Sequence, residues 1–66
     1  MKRYWFELTD ERYNDLGVSI PDGSNKQTAI NHAKRWMEEH GMTVAELVVN
    51  SMRTDNILEI IHIELN

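Results

Sequence analysis

The sequence predicts an α+β domain in two layers, with the order ββαββ and one helix packed on a four-stranded antiparallel sheet. Three observations carry that expectation. Two N-terminal stretches alternate apolar and polar residues with a period of two, a single helical stripe occupies residues 24–40, and two further apolar alternations flank a turn at 54–56. At 66 residues there is room for one core only, so residues 1–66 are read as a single domain.

In residues 3–9, Tyr4, Phe6 and Leu8 fall on one face and Arg3, Trp5, Glu7 and Thr9 on the other, the pattern of a strand with one buried side. Residues 10–15 are polar and turn-rich. They lead into Leu16-Gly17-Val18-Ser19-Ile20, where Leu16, Val18 and Ile20 again share a face, so a hairpin is expected. Pro21-Asp22-Gly23 ends that second strand, and Ser24 with Gln27 forms a capping-box pattern at a helix start. Ala29, Ile30, Ala33, Trp36 and Met37 then recur at helical spacing. Lys34 with Glu38 and Arg35 with Glu39 are candidate i,i+4 ion pairs on the outer side. Gly41 suits the left-handed residue of a Schellman motif, with Met42 turned back toward Met37.

After Gly41 two readings compete. Thr43 and Glu46 form a second capping-box pattern, which would open a short helix. Against it stand Val48, Val49, Asn50 and Ser51, all indifferent helix formers. The favoured reading is a hairpin turning at 54–56, with Asn56 at positive φ in a three-residue loop and Arg53 opposite Ile57, Val49 opposite Ile61, Leu47 opposite Ile63 and Ala45 opposite Leu65. The helix then covers Tyr4, Phe6, Leu8, Leu16, Val18, Ile20, Leu47, Val49, Ile61 and Ile63.

Composition excludes several functions. There is no cysteine, which removes disulfides and thiolate metal sites, and makes the cytoplasm the expected location. No apolar run approaches the roughly 18 residues of a membrane span, and no secretory signal is apparent, so no membrane association is expected. The formal charge of −4 argues against broad charge-driven binding to nucleic acid. No nucleotide-binding, serine-hydrolase or zinc-protease motif occurs, and no cofactor is expected. His32 and His40 would lie about 12 Å apart along a helix, too far to share a metal ion. His40 suits the negative end of the helix dipole. His62 beside Glu64 is a conceivable general base, but no nucleophile can be tied to it and an exposed, solvated role is the simpler reading. The protein is therefore expected not to be an enzyme.

The informative anomaly is the face of the sheet away from the helix. Parity assigns to it Trp5, Val48, Met52, Leu58, Ile60 and His62, with Arg3, Glu7, Glu46, Asn50 and Glu64, and that mixture is too apolar for a face left in water. These residues are the candidate contact surface for a protein partner or a second copy in a homodimer. The alternative is that the Tyr13-Asn14 segment folds over them. A second hypothesis, nucleic-acid association, rests on Lys26, Lys34 and Arg35 of the outer helix surface with Lys2 and Arg3.

Two stretches resemble known families. Leu16-Gly17-Val18-Ser19-Ile20-Pro21-Asp22, followed by Thr28-Ala29-Ile30-Asn31-His32-Ala33-Lys34, resembles the HicB-type antitoxin domain over about a third of the chain. It departs from that family in lacking a strand between the Pro-Asp and the helix. The resemblance implies an antitoxin-like regulatory role with a toxin as partner. Glu39-His40-Gly41-Met42-Thr43-Val44-Ala45-Glu46-Leu47-Val48 looks like the helix-turn-helix junction of ribbon-helix-helix DNA binders, and implies a second helix after Thr43. Neither resemblance carries a functional residue over.

Overall fold

The computed structural model describes residues 3–21 and 25–65. Strand β1 (Tyr4–Thr9) is followed by helix α1 (Lys26–Glu39) and then by β2 (Val44–Ser51) and β3 (Ile57–Glu64). The strands form one antiparallel sheet of three, in the order β1-β2-β3. The first and last strands in sequence thus flank β2, which is hydrogen-bonded on both sides.

The expected four-stranded ββαββ sheet is not formed, because residues 16–20 do not become a strand. The Asp10 carboxylate accepts from the backbone N–H groups of Arg12 and Asn14 at 2.8 and 2.9 Å, and Tyr13 turns through φ +63°, which reverses the chain tightly after β1. Those bonds hold the Asp10 pKa below its ordinary value, the Asn14 backbone N–H contributing most. One bridge, Thr9 to Asp15, and one bond from Leu16 N–H to Leu8 C=O follow. Gly17 then adopts φ +69°, with its N–H bonded to the Asp15 carboxylate, and the ladder ends. Period-two alternation nonetheless predicted burial correctly. Ile20 is buried and Leu16 and Val18 pack against the same core.

Helix α1 starts one residue later than the sequence suggested. Asn25 is its N-cap, and the Asn25 side chain accepts from Thr28 N–H at 2.8 Å. Ser24, the expected cap, lies outside the described residues, as do Asp22 and Gly23. Gln27 donates instead to the Asn31 side chain. The other end is as expected: Gly41 takes φ +68°, Met42 N–H bonds Met37 C=O, and Gly41 N–H reaches Glu38 C=O, the paired bonds of a Schellman motif. His40 caps the helix by donating from Nδ1 to Trp36 C=O, and its ring stacks on that indole at 4.0 Å between centroids. Neither Lys34–Glu38 nor Arg35–Glu39 forms; among the described residues the ion pairs are Lys26–Glu59 and those of His62.

Residues 44–51 form a strand, so the competing helix after Thr43 is absent, and with it the junction on which the likeness to ribbon-helix-helix proteins depends. β-branched Val44, Val48 and Val49 suit a pleated surface and lose side-chain freedom in a helix. The β2–β3 pairing is offset by two residues from expectation: Ala45 faces Ile63, Leu47 faces Ile61 and Val49 faces Glu59. An even shift leaves each of these residues on its expected face. The connection is the longer cause of that offset, since residues 52–56 all lie in the loop, with Asp55 rather than Asn56 at positive φ. Ser51 Oγ accepts from the N–H groups of Arg53 and Thr54 and holds the turn.

Between the layers lie Phe6, Leu8, Ile20, Ala29, Ala33, Met37, Ala45, Leu47, Val49 and Ile63. Alanines at 29 and 33 let the helix approach the sheet, and Met37 fills the space beyond them. Two outcomes are expected in thermal or chemical unfolding. Asn25→Ala should cost about 1 kcal/mol while Gln27→Ala costs far less, since only Asn25 satisfies an end-of-helix N–H. Met37→Ala should cost roughly 2–5 kcal/mol, enough to leave so small a domain mostly unfolded.

Candidate functional site

The face of the sheet away from α1 is built by cross-strand pairing. Trp5 pairs with Asn50, Glu7 with Val48 and Thr9 with Glu46 across β1 and β2, while Val48 pairs with Ile60 and Glu46 with His62 across β2 and β3. Because the central strand is flanked on both sides, Val48 and Asn50 are buried even on this face, and Thr9 of β1 is buried where the returning chain bridges it at Asp15. The edge strand is not. Ile57, Leu58 and Ile60 are 60%, 56% and 43% exposed, an apolar run at the rim of the sheet.

A β-bulge produces part of that run. The pairing slips between Val49 and Asn50, so that Ile57 comes opposite Asn50 on the open side. Strict alternation had put Ile57 on the helix side. The result is an open hollow of about 300 Å³ lined by Glu7, Thr9, Tyr13, Val48, Ile57 and Ile60. Val48 and Ile60, two of the six expected contact residues, sit together in it. Trp5 lies farther along, half-buried, with its indole N–H donating to the Asp55 carboxylate at 3.2 Å. Met52 is in the turn beyond β2, where its N–H donates to Arg3 C=O, and Leu58 is exposed beside the bulge.

Sequence reading missed the roles of Ile57 and Tyr13. No residue type marks the bulge in advance. Tyr13 was considered as a cover for the face, and the Asp10 turn does bring it to the hollow's edge, yet it is itself 60% exposed and leaves Ile57, Leu58 and Ile60 in solvent.

His62 stands where β2 and β3 pair at the far side of this face. Its Nδ1 lies 2.6 Å from Glu46 Oε1 and its Nε2 lies 2.9 Å from Glu64 Oε1. Ionised carboxylates only accept, so both contacts are satisfied when both ring nitrogens carry protons. The hydrogen bond to Glu46, then that to Glu64, accordingly raises the His62 pKa above its ordinary 6.5. With both nitrogens engaged, the ring presents neither to an incoming substrate.

Glu7 lines the hollow, and Glu46 and Glu64 flank His62 farther along the same face, so three carboxylates stand on it against His62 and Arg3. The expected nucleic-acid contacts do not come together. Lys26 is held by Glu59 at 2.6 Å and lies 5.6 Å from the centre of the Tyr4 ring, and Lys34 and Arg35 are exposed two turns along the helix. Among the described residues no group of three His, Cys, Asp or Glu side chains is placed to hold a metal ion, and no helix is long and apolar enough to cross a membrane.

A pH dependence follows from His62. Its raised pKa means that the imidazolium's contribution to stability is complete below pH 6.5 and is lost as pH rises through the folded-state value. Glu46→Gln should lower the His62 titration midpoint measured by NMR and flatten the loss of stability over that interval; an unmoved midpoint would show that the Glu46 contact is not formed in solution. Comparison with known proteins adds no relative: no family model, curated protein or solved structure matches this chain.

Proposed function

We propose that the protein is a small non-catalytic binding module whose open sheet face takes an apolar side chain of a protein partner, flanked there by basic residues. The observation that carries this reading is the exposed trio Ile57, Leu58 and Ile60 beside a hollow floored by Val48. Apolar side chains of that size, adjacent and uncovered, are the composition of a contact surface. Glu7, Glu46 and Glu64 supply the chemistry of the flanks, since an acidic face favours a basic partner and repels an identical face laid against it. The same balance supports a different chain, rather than a second copy stacked face to face, as the occupant. The nucleic-acid reading has less support, because Lys26 is paired and the open face is acidic.

A peptide panel tests the proposal. Peptides with one central Leu or Phe flanked by lysines should shift the methyl resonances of Val48, Ile57 and Ile60, more weakly as salt is added, whereas the same anchors flanked by glutamates should not. Ile57→Ala should weaken the interaction roughly tenfold, the effect of about 1.4 kcal/mol. Shifts confined to the helix, or equal binding of both peptide classes, would overturn the reading.

A further inference from the structure

The two edges of the sheet are treated differently. On the outer side of β1, the returning chain bonds the far end of the strand, Leu16 N–H donating to Leu8 C=O and Asp10 N–H to Asn14 C=O. On the outer side of β3, none of the described residues pairs. Leu65 N–H bonds Thr43 C=O at 2.8 Å, and antiparallel ladders alternate, so Ile63, Ile61 and Glu59 bond inward to β2. Ile60, His62 and Glu64 therefore turn their N–H and C=O groups outward. Proteins usually blunt such an edge with lysine, proline, a bulge or a very short strand. Strand β3 has its bulge at its start, beside Leu58, and the regular run Glu59–Glu64 beyond it carries neither Lys nor Pro. Its charges are engaged within the chain, Glu59 with Lys26 and His62 with Glu46 and Glu64.

We propose that β3 pairs antiparallel with β3 of a second copy, joining two three-stranded sheets into one of six strands. This goes beyond the open-face reading and rests on the edge backbone instead. A two-fold axis perpendicular to the sheet keeps each face continuous, so only residues of the same face can stand opposite one another. That condition leaves few registers. Centring on Glu59 or on His62 sets like charges directly opposite, which is destabilising. Centring on Ile61 sets Ile60 against His62 and Leu58 against Glu64. Centring on Ile60 sets the two exposed Ile60 side chains together at a hydrogen-bonded position and Ile61 against Glu59, the register that puts an apolar pair of the open face on the two-fold axis, and the bulge beside Leu58 ends the pairing there. Self-complementarity of this kind is what singles out a second copy as the occupant. A domain this small also gains most from added buried surface.

The chain has no cysteine, so single cysteines report the contact. Mild oxidation of Ile60→Cys should give a disulfide-linked dimer, while His62→Cys and Asn31→Cys, the latter on the exposed outside of α1, should not. Wild-type protein should sediment at twice 7.8 kDa. Ile60→Pro removes an N–H that points away from β2, and Ile60→Lys places two charges together; both should sediment as folded monomers, with folding read from their NMR spectra. A wild-type monomer at millimolar concentration, a dimer that survives both substitutions, or crosslinking at residue 31 as readily as at residue 60 would overturn the proposal.

Discussion

A strand hydrogen-bonded along both edges and covered on one face has almost no freedom left, and β2 is in that position. Ala45, Leu47 and Val49 are wholly buried beneath the helix; Leu47 and Val49 are pinned laterally by β1 and β3, and Ala45 by β3. The helix is referred to the same strand, since Ala29 and Ala33 bring it close enough for Met37 to seat in the core. With no disulfide to restrain the unfolded chain, this one layer of contacts must outweigh the conformational entropy of the whole domain.

The same arrangement creates the candidate site. Period-two alternation sends every second residue of β2 away from the helix, so burying Leu47 and Val49 obliges Val48 and Asn50 to line the opposite face. Flanking strands bury those two residues, while β3 leaves its own outward Leu58 and Ile60 exposed. The bulge at Asn50 adds Ile57 to the exposed set, and the Asp10 turn sets Tyr13 at its margin. Apolar surface thus accumulates at the β3 side, with Glu7 lining the hollow and Glu46 and Glu64 farther along the face, which is the geometry the proposed binding reading depends on.

Much of this was legible in the sequence because it depends on period and punctuation. Gly41 and Met42 marked the end of the helix, and the alternation around Leu47 and Val49 identified both the strand and its buried face. The alternation at Leu16, Val18 and Ile20 was equally clear, yet it reports burial and cannot report a partner. Whether an extended segment joins a ladder depends on backbone geometry, here on Gly17 at positive φ. Likewise the two-residue offset of β3 and its bulge arise from the length and hydrogen bonding of the 52–56 loop, where Ser51 and Asp55 decide the turn. Ile57 was misplaced for that reason. The open-face residues around Val48 and Ile60 were recoverable because an even offset preserves faces.

The central claim is that one face of the sheet is closed by the helix while the apolar face opposite remains open. Relaxation of isoleucine methyl groups by a soluble paramagnetic probe, measured in dilute protein, tests it directly. Strong relaxation at Ile57 and Ile60 with protection at Ile20 and Ile63 is the result this structure predicts. Protection at Ile57 and Ile60 equal to that at Ile63 would contradict it, since the face would then already be covered within the single chain.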